Sequence, residues 1–212
     1  MTYDHFQYLY PPRPKTAVHP KYLSEYADGS WMAQPKLNGD CAVIFTNGTE
    51  THVRDRHKDS FSKNVRELEA IAGTLHRGKE WLVLVGEWMT KSKKDCNGTN
   101  FNGHLVLFDI LVYNGVHLSG YSFEDRYDLL MDLYQPTENY DPYILRSAVP
   151  NVFVVETFDI LFPDYFEAVS SIDMYEGLVL KKRNAKLELG VTENNNIRTQ
   201  VKFRKPAKNY HY

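Results

Sequence analysis

The chain has 212 residues, of which 42% are hydrophobic, and a formal net charge of −2. A chain of this length and composition can bury one substantial core, so we expect a single domain over 1–212. The near-neutral charge excludes a uniformly basic nucleic-acid-binding surface. Any site for a polyanion must therefore come from local clusters of Lys and Arg.

Three features bear on the cellular location. The two cysteines, Cys41 and Cys96, suit a reducing compartment better than a disulfide framework. The N-terminus lacks the basic and then apolar pattern of a signal peptide. The most apolar run, LVLFDILVY, is too short to span a bilayer and is interrupted by Asp109. We therefore expect a cytoplasmic protein with no membrane contact.

Hairpin signals dominate the first half of the chain. Asn47-Gly48 is a strong hairpin turn, and it predicts a return strand at Thr51–Arg56. In chain order, we predict an extended, proline-rich arm over 1–20, a short helix at 21–27, strands at about 31–35 and 41–46, the return strand, and a helix at 63–78.

The second half alternates apolar strands with helices. Ser122 and Asp125 form a capping box for a helix that continues to Tyr134. The other predicted elements are strands at 80–89, 104–115, 152–158, 176–182 and 199–205, and a helix at about 164–172. Because strands outnumber helices and hairpins recur, we predict an α+β fold of largely antiparallel β-sheets flanked by helices.

Charged residues interrupt several of the apolar strands, at Glu87, Asp109 and Glu176. Lys202 and Arg204 alternate with apolar residues, so their side chains share one face of a strand. Burying such charges is costly unless they pair with each other or meet a ligand. Structural ion pairs are the alternative for each residue taken singly. Together the residues are typical of a site for phosphoryl transfer from a nucleotide with a metal ion.

A nucleophile for this chemistry is available upstream, in the segment WMAQPKLNGDCAVIF. Lys36 stands three residues before Gly39, between two predicted strands. The K-x-x-G spacing alone is weak evidence, because a solvated turn lysine next to a glycine is common. The charged strand residues that follow it in order make Lys36 a candidate nucleophile.

The order K-x-x-G, G-E, F-D, E-G-L-V-x-K and V-K-x-R resembles the covalent nucleotidyltransferases, which include ATP-dependent DNA ligases, RNA ligases and mRNA capping enzymes. The resemblance covers Trp31 to Lys205, and EGLVLKK and SFEDRYDLL are its most ligase-like segments. It implies the fold of a ligase adenylation domain, ATP and Mg²⁺ as cofactors, and a nicked double-stranded nucleic acid, with DNA favoured, as the partner.

The resemblance assigns the phosphate end of the site. Lys36 would attack the α-phosphate of ATP and form a lysyl–AMP intermediate. Lys202 would clamp that phosphate, with Arg204 beside it, and Glu176 would hold the magnesium ion. A free lysine has a pKa of about 10.4, so neighbouring cations and partial desolvation would have to favour the reactive neutral amine.

The resemblance also assigns the nucleoside end. Gln34 would read the amino edge of the adenine, and Phe108 would stack on the purine, although a phenylalanine in an apolar strand is more often part of a core. Glu87 would bind the ribose hydroxyls and is a second candidate metal ligand. Gly39 belongs to the nucleotide-binding motif, and Arg56 would reach the ribose or the 5′-phosphate of the nucleic acid.

Basic residues outside these motifs are candidates for contact with the nucleic-acid backbone. A solvated surface loop and solvated strand ends are the plain alternatives, and the latter applies to both Lys181 and Lys182. The candidates are Arg56, Lys91, Lys93, Lys94 and Lys182.

Three departures from the ligase pattern stand out. Asn38 replaces an aspartate that is usual there, and Cys41 stands where ligases often have an arginine that contacts phosphate. The chain also ends soon after the dibasic strand, so we expect no C-terminal OB-fold. A complete minimal protein, a truncated one and one half of a two-chain enzyme all stay open, as does an OB-fold supplied by a partner protein.

The preferred function is therefore an ATP-dependent DNA ligase core of a minimal viral or phage-like type, acting as a monomer. RNA ligase is the first alternative, since it shares the lysine, the carboxylates and the dibasic strand. A capping guanylyltransferase or a non-catalytic module that binds nicks fits less well. A P-loop NTPase is excluded, because no G-x-x-x-x-G-K-[ST] motif is present.

Overall fold

The computed structural model describes residues 10–12, 14, 17–61, 65–76, 78–187 and 198–206. Within these ranges, a 3₁₀ helix at Pro20–Tyr26 precedes three α-helices and eleven strands. The helices are α1 (Val65–Ala72), α2 (Phe123–Tyr134) and α3 (Phe162–Ser170). The strands are β1 (Trp31–Leu37), β2 (Asp40–Thr46), β3 (Thr51–Asp55), β4 (Leu82–Trp88), β5 (Leu105–Tyr113), β6 (Val116–His117), β7 (Glu138–Asp141), β8 (Ile144–Arg146), β9 (Val152–Val155), β10 (Tyr175–Lys182) and β11 (Gln200–Arg204).

The strands form two sheets. The smaller sheet has three antiparallel strands in the order β1-β10-β11. The larger one has eight strands, seven of them in the order β3-β2-β4-β5-β9-β8-β7 and β6 paired with β5. Among the described strand pairs, only β5 and β9 run parallel. The prediction of an α+β fold with largely antiparallel sheets is confirmed, and the described ranges contain no β-barrel.

The smaller sheet has one apolar face and one polar face. Leu178, Leu180 and Phe203 alternate along β10 and β11 and are fully buried in one core cluster. The side chains between them, among them Lys202 and Arg204, therefore face the opposite side of the sheet. This alternation turns the basic residues of β11 towards the larger sheet and positions them for a shared pocket.

Helix α2 begins and ends as the sequence predicts. The Ser122 side chain accepts a hydrogen bond from the backbone nitrogen of Asp125, and the Asp125 carboxylate accepts one from the backbone nitrogen of Ser122. Gln135 follows in the left-handed conformation and ends the helix at Tyr134.

No helix in the described part of the chain is long and apolar enough to cross a membrane.

The buried face of α2 carries Arg126, which reaches Asp109 on β5. Its Nε and Nη2 atoms donate to the two carboxylate oxygens at 2.9 and 3.1 Å, and both side chains are only 2% exposed. Burial alone would raise the pKa of Asp109, but the charges of Arg126 and Lys181 outweigh it and hold that pKa below its ordinary value. The ion pair therefore satisfies the charge that interrupts β5.

Three element predictions need correction. The helix expected over 63–78 is described only as Val65–Ala72, and Gly73 follows it in a turn. Strands β7 and β8 were not predicted, because four and three residues are too few for an alternation pattern. The arm expected over 1–20 lies partly outside the described residues. Its last residue, Pro20, starts the 3₁₀ helix instead.

We expect Arg126→Met to lower the free energy of unfolding by about 3–5 kcal/mol, because it leaves the Asp109 carboxylate buried without its cation. Lys93→Met is the matched control: it breaks the more exposed Lys93–Asp173 pair, which should cost no more than about 1 kcal/mol. Urea denaturation of both variants measures the difference. Equal losses would show that burial of the Asp109–Arg126 pair is not what makes it important.

Candidate active site

A pocket of about 740 Å³ lies between the polar face of the smaller sheet and strands β2, β4 and β5 of the larger one. Most of the residues that the sequence proposes for the site line this pocket. They are Gln34, Lys36, Gly39, Arg56, Glu87, Lys91, Phe108, Glu176, Lys202 and Arg204. The fold therefore brings together side chains from segments that are up to 170 positions apart in the sequence.

The register of the smaller sheet arranges the polar side chains in rows. Lys36 on β1 pairs with Gly177 on β10, which pairs with Arg204 on β11. The next row, two residues further along each strand, is Gln34, Val179 and Lys202. Because the period of a strand is two residues, both rows face the pocket.

Glu176 stands between the two cations of the first row. One of its oxygens, Oε2, accepts from Lys36 Nζ at 2.5 Å and from Arg204 Nη2 at 2.6 Å. Burial would raise the pKa of Glu176, but the charge and hydrogen bond of Lys36, together with those of Arg204, outweigh it and lower that pKa. The pocket thus holds an ionised carboxylate in direct contact with the candidate nucleophile.

Strict alternation along β10 would turn Glu176 away from the pocket, since Val179 and Lys181 face it. The pairing register of β1 and β10 shifts between Lys36 and Leu37, where Glu176 is the extra residue of a β-bulge on β10. The next residue, Gly177, has a φ of 137°. A bulge re-aims the neighbouring side chain. A Cβ at Gly177 would also lie 2.0 Å from the carbonyl oxygen of Phe203, so only glycine fits there. The E-G pair is therefore a structural requirement for placing the carboxylate.

The glycine of the K-x-x-G motif is likewise required because the backbone passes close to a neighbouring strand. A Cβ at Gly39 would lie 2.5 Å from the carbonyl oxygen of Trp88 and 2.9 Å from Cγ of Glu87. Its backbone nitrogen donates to Glu87 Oε1 at 3.0 Å. The close approach of this turn to β4 therefore fixes the Glu87 carboxylate within the pocket.

Glu87 differs from Glu176 in its protonation. Burial raises its pKa to about 7, although the charge of Lys36 and the hydrogen bond from Gly39 act in the opposite direction. Near neutral pH the Glu87 carboxyl is therefore only partly ionised, and it can donate as well as accept a hydrogen bond.

The raised pKa of Glu87 predicts a pH dependence of stability. The unfolded chain loses this proton near pH 4.5 and the folded chain near pH 7. Between these values the folded state binds more protons, so this group lowers the free energy of unfolding as pH rises, by up to about 3 kcal/mol.

Glu87→Gln removes this titration while keeping the size of the side chain. Urea denaturation of both proteins from pH 4.5 to pH 8 should show the variant gaining stability relative to the wild type as the pH rises. Other carboxyl groups titrate in both proteins and cancel in the difference. Parallel curves would contradict the raised pKa.

The end of the pocket away from Lys36 is built around Phe108, which is half-buried and lines the cavity. Its carbonyl oxygen accepts from Lys181 Nζ at 3.3 Å, and Gln34 Nε2 approaches it at 3.5 Å. The alternative of a solvated strand end is wrong for Lys181, which is 3% exposed and lines the pocket. Lys182 is exposed, which is compatible both with a solvated strand end and with contact to nucleic acid.

The candidate nucleic-acid contacts divide into two groups. Arg56 and Lys91 lie at the pocket: Arg56 Nε donates to His57 Nε2 at 2.9 Å, and Lys91 Nζ donates to Asn38 Oδ1 at 3.3 Å. Arg56 follows the end of β3 and is not on the strand as predicted. The remaining candidates do not line the cavity, and they are Lys93, which pairs with Asp173, and the exposed Lys94 and Lys182.

Prolines of the N-terminal segment form a wall that sequence reasoning missed. Pro11, Pro12 and Pro14 line the pocket, and Pro11 is buried. Val18 anchors the segment, since its nitrogen donates to the carbonyl oxygen of Lys202 at 2.9 Å. Proline-rich composition predicts an extended conformation, but it contains no signal for the surface against which the segment packs.

The donor set of the pocket is compatible with magnesium. No group of three or more His, Cys, Asp and Glu side chains converges in the part of the chain that the structure describes. Mg²⁺ is usually bound through one or two carboxylates together with substrate phosphates, so it does not need such a group. The ionised Glu176 fits this role, and Glu87 fits it only in its deprotonated form.

The fold is that of DNA ligase catalytic domains. The chain superposes on a mycobacterial DNA ligase D complexed with ATP and MES, with a TM-score of 0.65, 19% identity, and coverage of 90% of this chain and 59% of that one. For the ligase domain of M. tuberculosis LigD, the corresponding values are 0.64, 18%, 88% and 57%. For a Lig E DNA ligase, described as binding DNA with a minimal scaffold, they are 0.55, 16%, 92% and 69%.

No protein-family model and no curated protein sequence matches the chain. The likeness is therefore one of structure, and it confirms the nucleotidyltransferase fold that the motif order implies. The chain spans less than two thirds of the length of the two ligase D chains.

Proposed function

We propose that this chain is the nucleotidyltransferase core of an ATP-dependent DNA ligase, with Lys36 as the residue that carries AMP. The observation that carries the proposal is the 2.5 Å contact between the Lys36 amine and Glu176, in a pocket that Lys202 and Arg204 also line. The ligase fold supports it, as does the ATP complex of one structural neighbour.

In the first step, the Lys36 ammonium group, which Glu176 holds in place, gives a proton to solvent, and the neutral amine attacks the α-phosphorus of ATP. A phosphorus–nitrogen bond forms, the bond from the α-phosphorus to the bridging oxygen breaks, and pyrophosphate leaves. The nitrogen then loses a second proton to solvent. Lys202 and Arg204 offer positive charge to phosphate oxygens as their charge grows in the transition state. A Mg²⁺ ion held by Glu176 would supply further charge neutralisation on the triphosphate.

The nucleoside would occupy the deeper part of the pocket. Phe108 offers a ring face to the purine, and Gln34 lies beside it with an amide that can both donate and accept. Glu87 lies on the adjacent strand, where its carboxyl group can hydrogen-bond the ribose hydroxyls. This division places charged groups at the phosphates and a largely apolar wall at the base.

Nicked duplex DNA is the substrate that fits the remaining residues. AMP passes from Lys36 to the 5′-phosphate at the nick, and the 3′-hydroxyl then attacks that phosphate and releases AMP. Arg56 and Lys91 lie at the pocket and can bind backbone phosphates. Lys93, Lys94 and Lys182 lie outside the pocket and are further candidates for contact with the backbone.

The cytoplasm is the proposed location. Neither Cys41 nor Cys96 is in a disulfide, which suits a reducing compartment.

Lys36 should carry the adenylate. After incubation with ATP and Mg²⁺, mass spectrometry should find an AMP-sized addition on the peptide that contains Lys36. Lys36→Ala should lose the addition, whereas Lys79→Ala, an exposed lysine away from the pocket, should keep it. An adduct retained by Lys36→Ala would disprove the assignment. A wild-type adduct formed with GTP but not with ATP would indicate a capping enzyme instead.

DNA should be preferred over RNA at the nick. Single-turnover sealing by the preformed adenylate should be at least as fast on a nicked DNA duplex as on the same nick flanked by RNA strands, at matched salt. Lys91→Ala should reduce the salt dependence of nick binding by about one unit of slope, as expected for one lost phosphate contact. Clear preference for RNA ends would favour the RNA ligase alternative.

A further inference from the structure

Lys181 is a buried cation at the base end of the pocket. Its Nζ atom lies 5.0 Å from the centroid of the Phe108 ring and 4.4 Å from that of Phe123, so the ammonium group contacts both rings. It also donates to the carbonyl oxygen of Phe108 at 3.3 Å. Lys181 therefore holds Phe108 at two points, through its ring and through its backbone.

Lys181 shares its nearby carboxylate with another cation. Asp109, the carboxylate that attracts it, is already paired through both oxygens with Arg126. Cys41 on β2 is also close enough to act on Lys181 electrostatically. Burial, together with the charge of Arg126, lowers the pKa of Lys181 to about 8, and the attraction of Asp109 only partly offsets this. An apolar residue would avoid this desolvation penalty, so stability alone does not explain a lysine here.

The position of Lys181 separates it from the reacting phosphate. It lies four residues beyond Gly177, which pairs with Lys36. About 13 Å of extended strand therefore separates Lys181 from the level of Lys36. Lys181 and Phe108 both line the pocket, so Lys181 acts at the Phe108 end of the pocket and away from Lys36.

We propose that Lys181 is a positioning residue of the nucleotide pocket: its ammonium group fixes the ring and the carbonyl oxygen of Phe108 so that the ring is held ready to stack on the purine. This rests on the proposed function. A fixed ring loses less conformational entropy when the base binds, so Lys181 contributes to nucleotide affinity and not to the rate of phosphoryl transfer.

The test compares wild type, Lys181→Met and Lys181→Arg. Binding of α,β-methylene ATP, whose α,β bridge cannot be cleaved, measures affinity, and single-turnover adduct formation at saturating ATP measures chemistry. At pH 7.5, Lys181→Met should bind about ten-fold more weakly, as expected for loss of a desolvated cation–π contact, with its saturated rate unchanged. Lys205→Met removes another partly buried lysine, one that contacts carbonyl oxygens near the end of α3, and should leave the affinity unchanged.

The pH profile distinguishes positioning from simple packing. Wild-type affinity should fall as pH rises through about 8, when Lys181 loses its charge, and Lys181→Met should lack this fall. Lys181→Arg keeps a cation at every pH tested, so it should recover much of the affinity and hold it to pH 9.5.

Several outcomes would overturn the proposal. The proposal fails if Lys181→Met binds the analogue as tightly as the wild type does. It also fails if the saturated rate of Lys181→Met falls together with its affinity. If Lys181→Met does not fold, an affinity of the wild type that stays constant from pH 7.5 to 9.5 would still refute it. A wild-type protein that binds the analogue but forms no adduct would refute the proposed function alone.

Discussion

The contact of Glu176 with Lys36 and Arg204 is the interaction on which the site depends. It requires three strands from distant parts of the chain to pair in one register, so that a single carboxylate oxygen lies within 2.6 Å of both cations. Two local irregularities make this geometry attainable, the bulge after Lys36 and the positive φ of Gly177. Without them, Glu176 would point into the core.

The pocket is electrostatically graded along its length. Cations and an ionised carboxylate occupy the end with Lys36, a partly protonated Glu87 lies on β4, and a desolvated ammonium, that of Lys181, contacts the ring of Phe108. This grading suits a ligand that is highly charged at one end and aromatic at the other. A chain with a net charge of −2 can hold a polyanion in this way because the positive charge is local.

The chain shares its fold with ligase domains at 16–19% sequence identity. In this chain the fold depends on the register of the β1-β10-β11 sheet, on glycines that permit close approach and on the buried Asp109–Arg126 pair. Departures at Asn38 and Cys41 do not disturb them: Asn38 accepts from Lys91, and Cys41 lies opposite Glu87 in the β2–β4 register. Asn38 and Cys41 are therefore compatible with this backbone geometry.

The sequence by itself determined the features that depend on local pattern. Examples are the capping box of α2, the hairpin at Asn47-Gly48, and the shared face of Lys202 and Arg204. Only the tertiary structure decided that Lys181 is buried while Lys182 is exposed, that Glu176 turns into the pocket, and that prolines form one wall. Alternation defines two faces of a strand, but which face is covered, and where a bulge breaks the alternation, depends on partners far away in the chain.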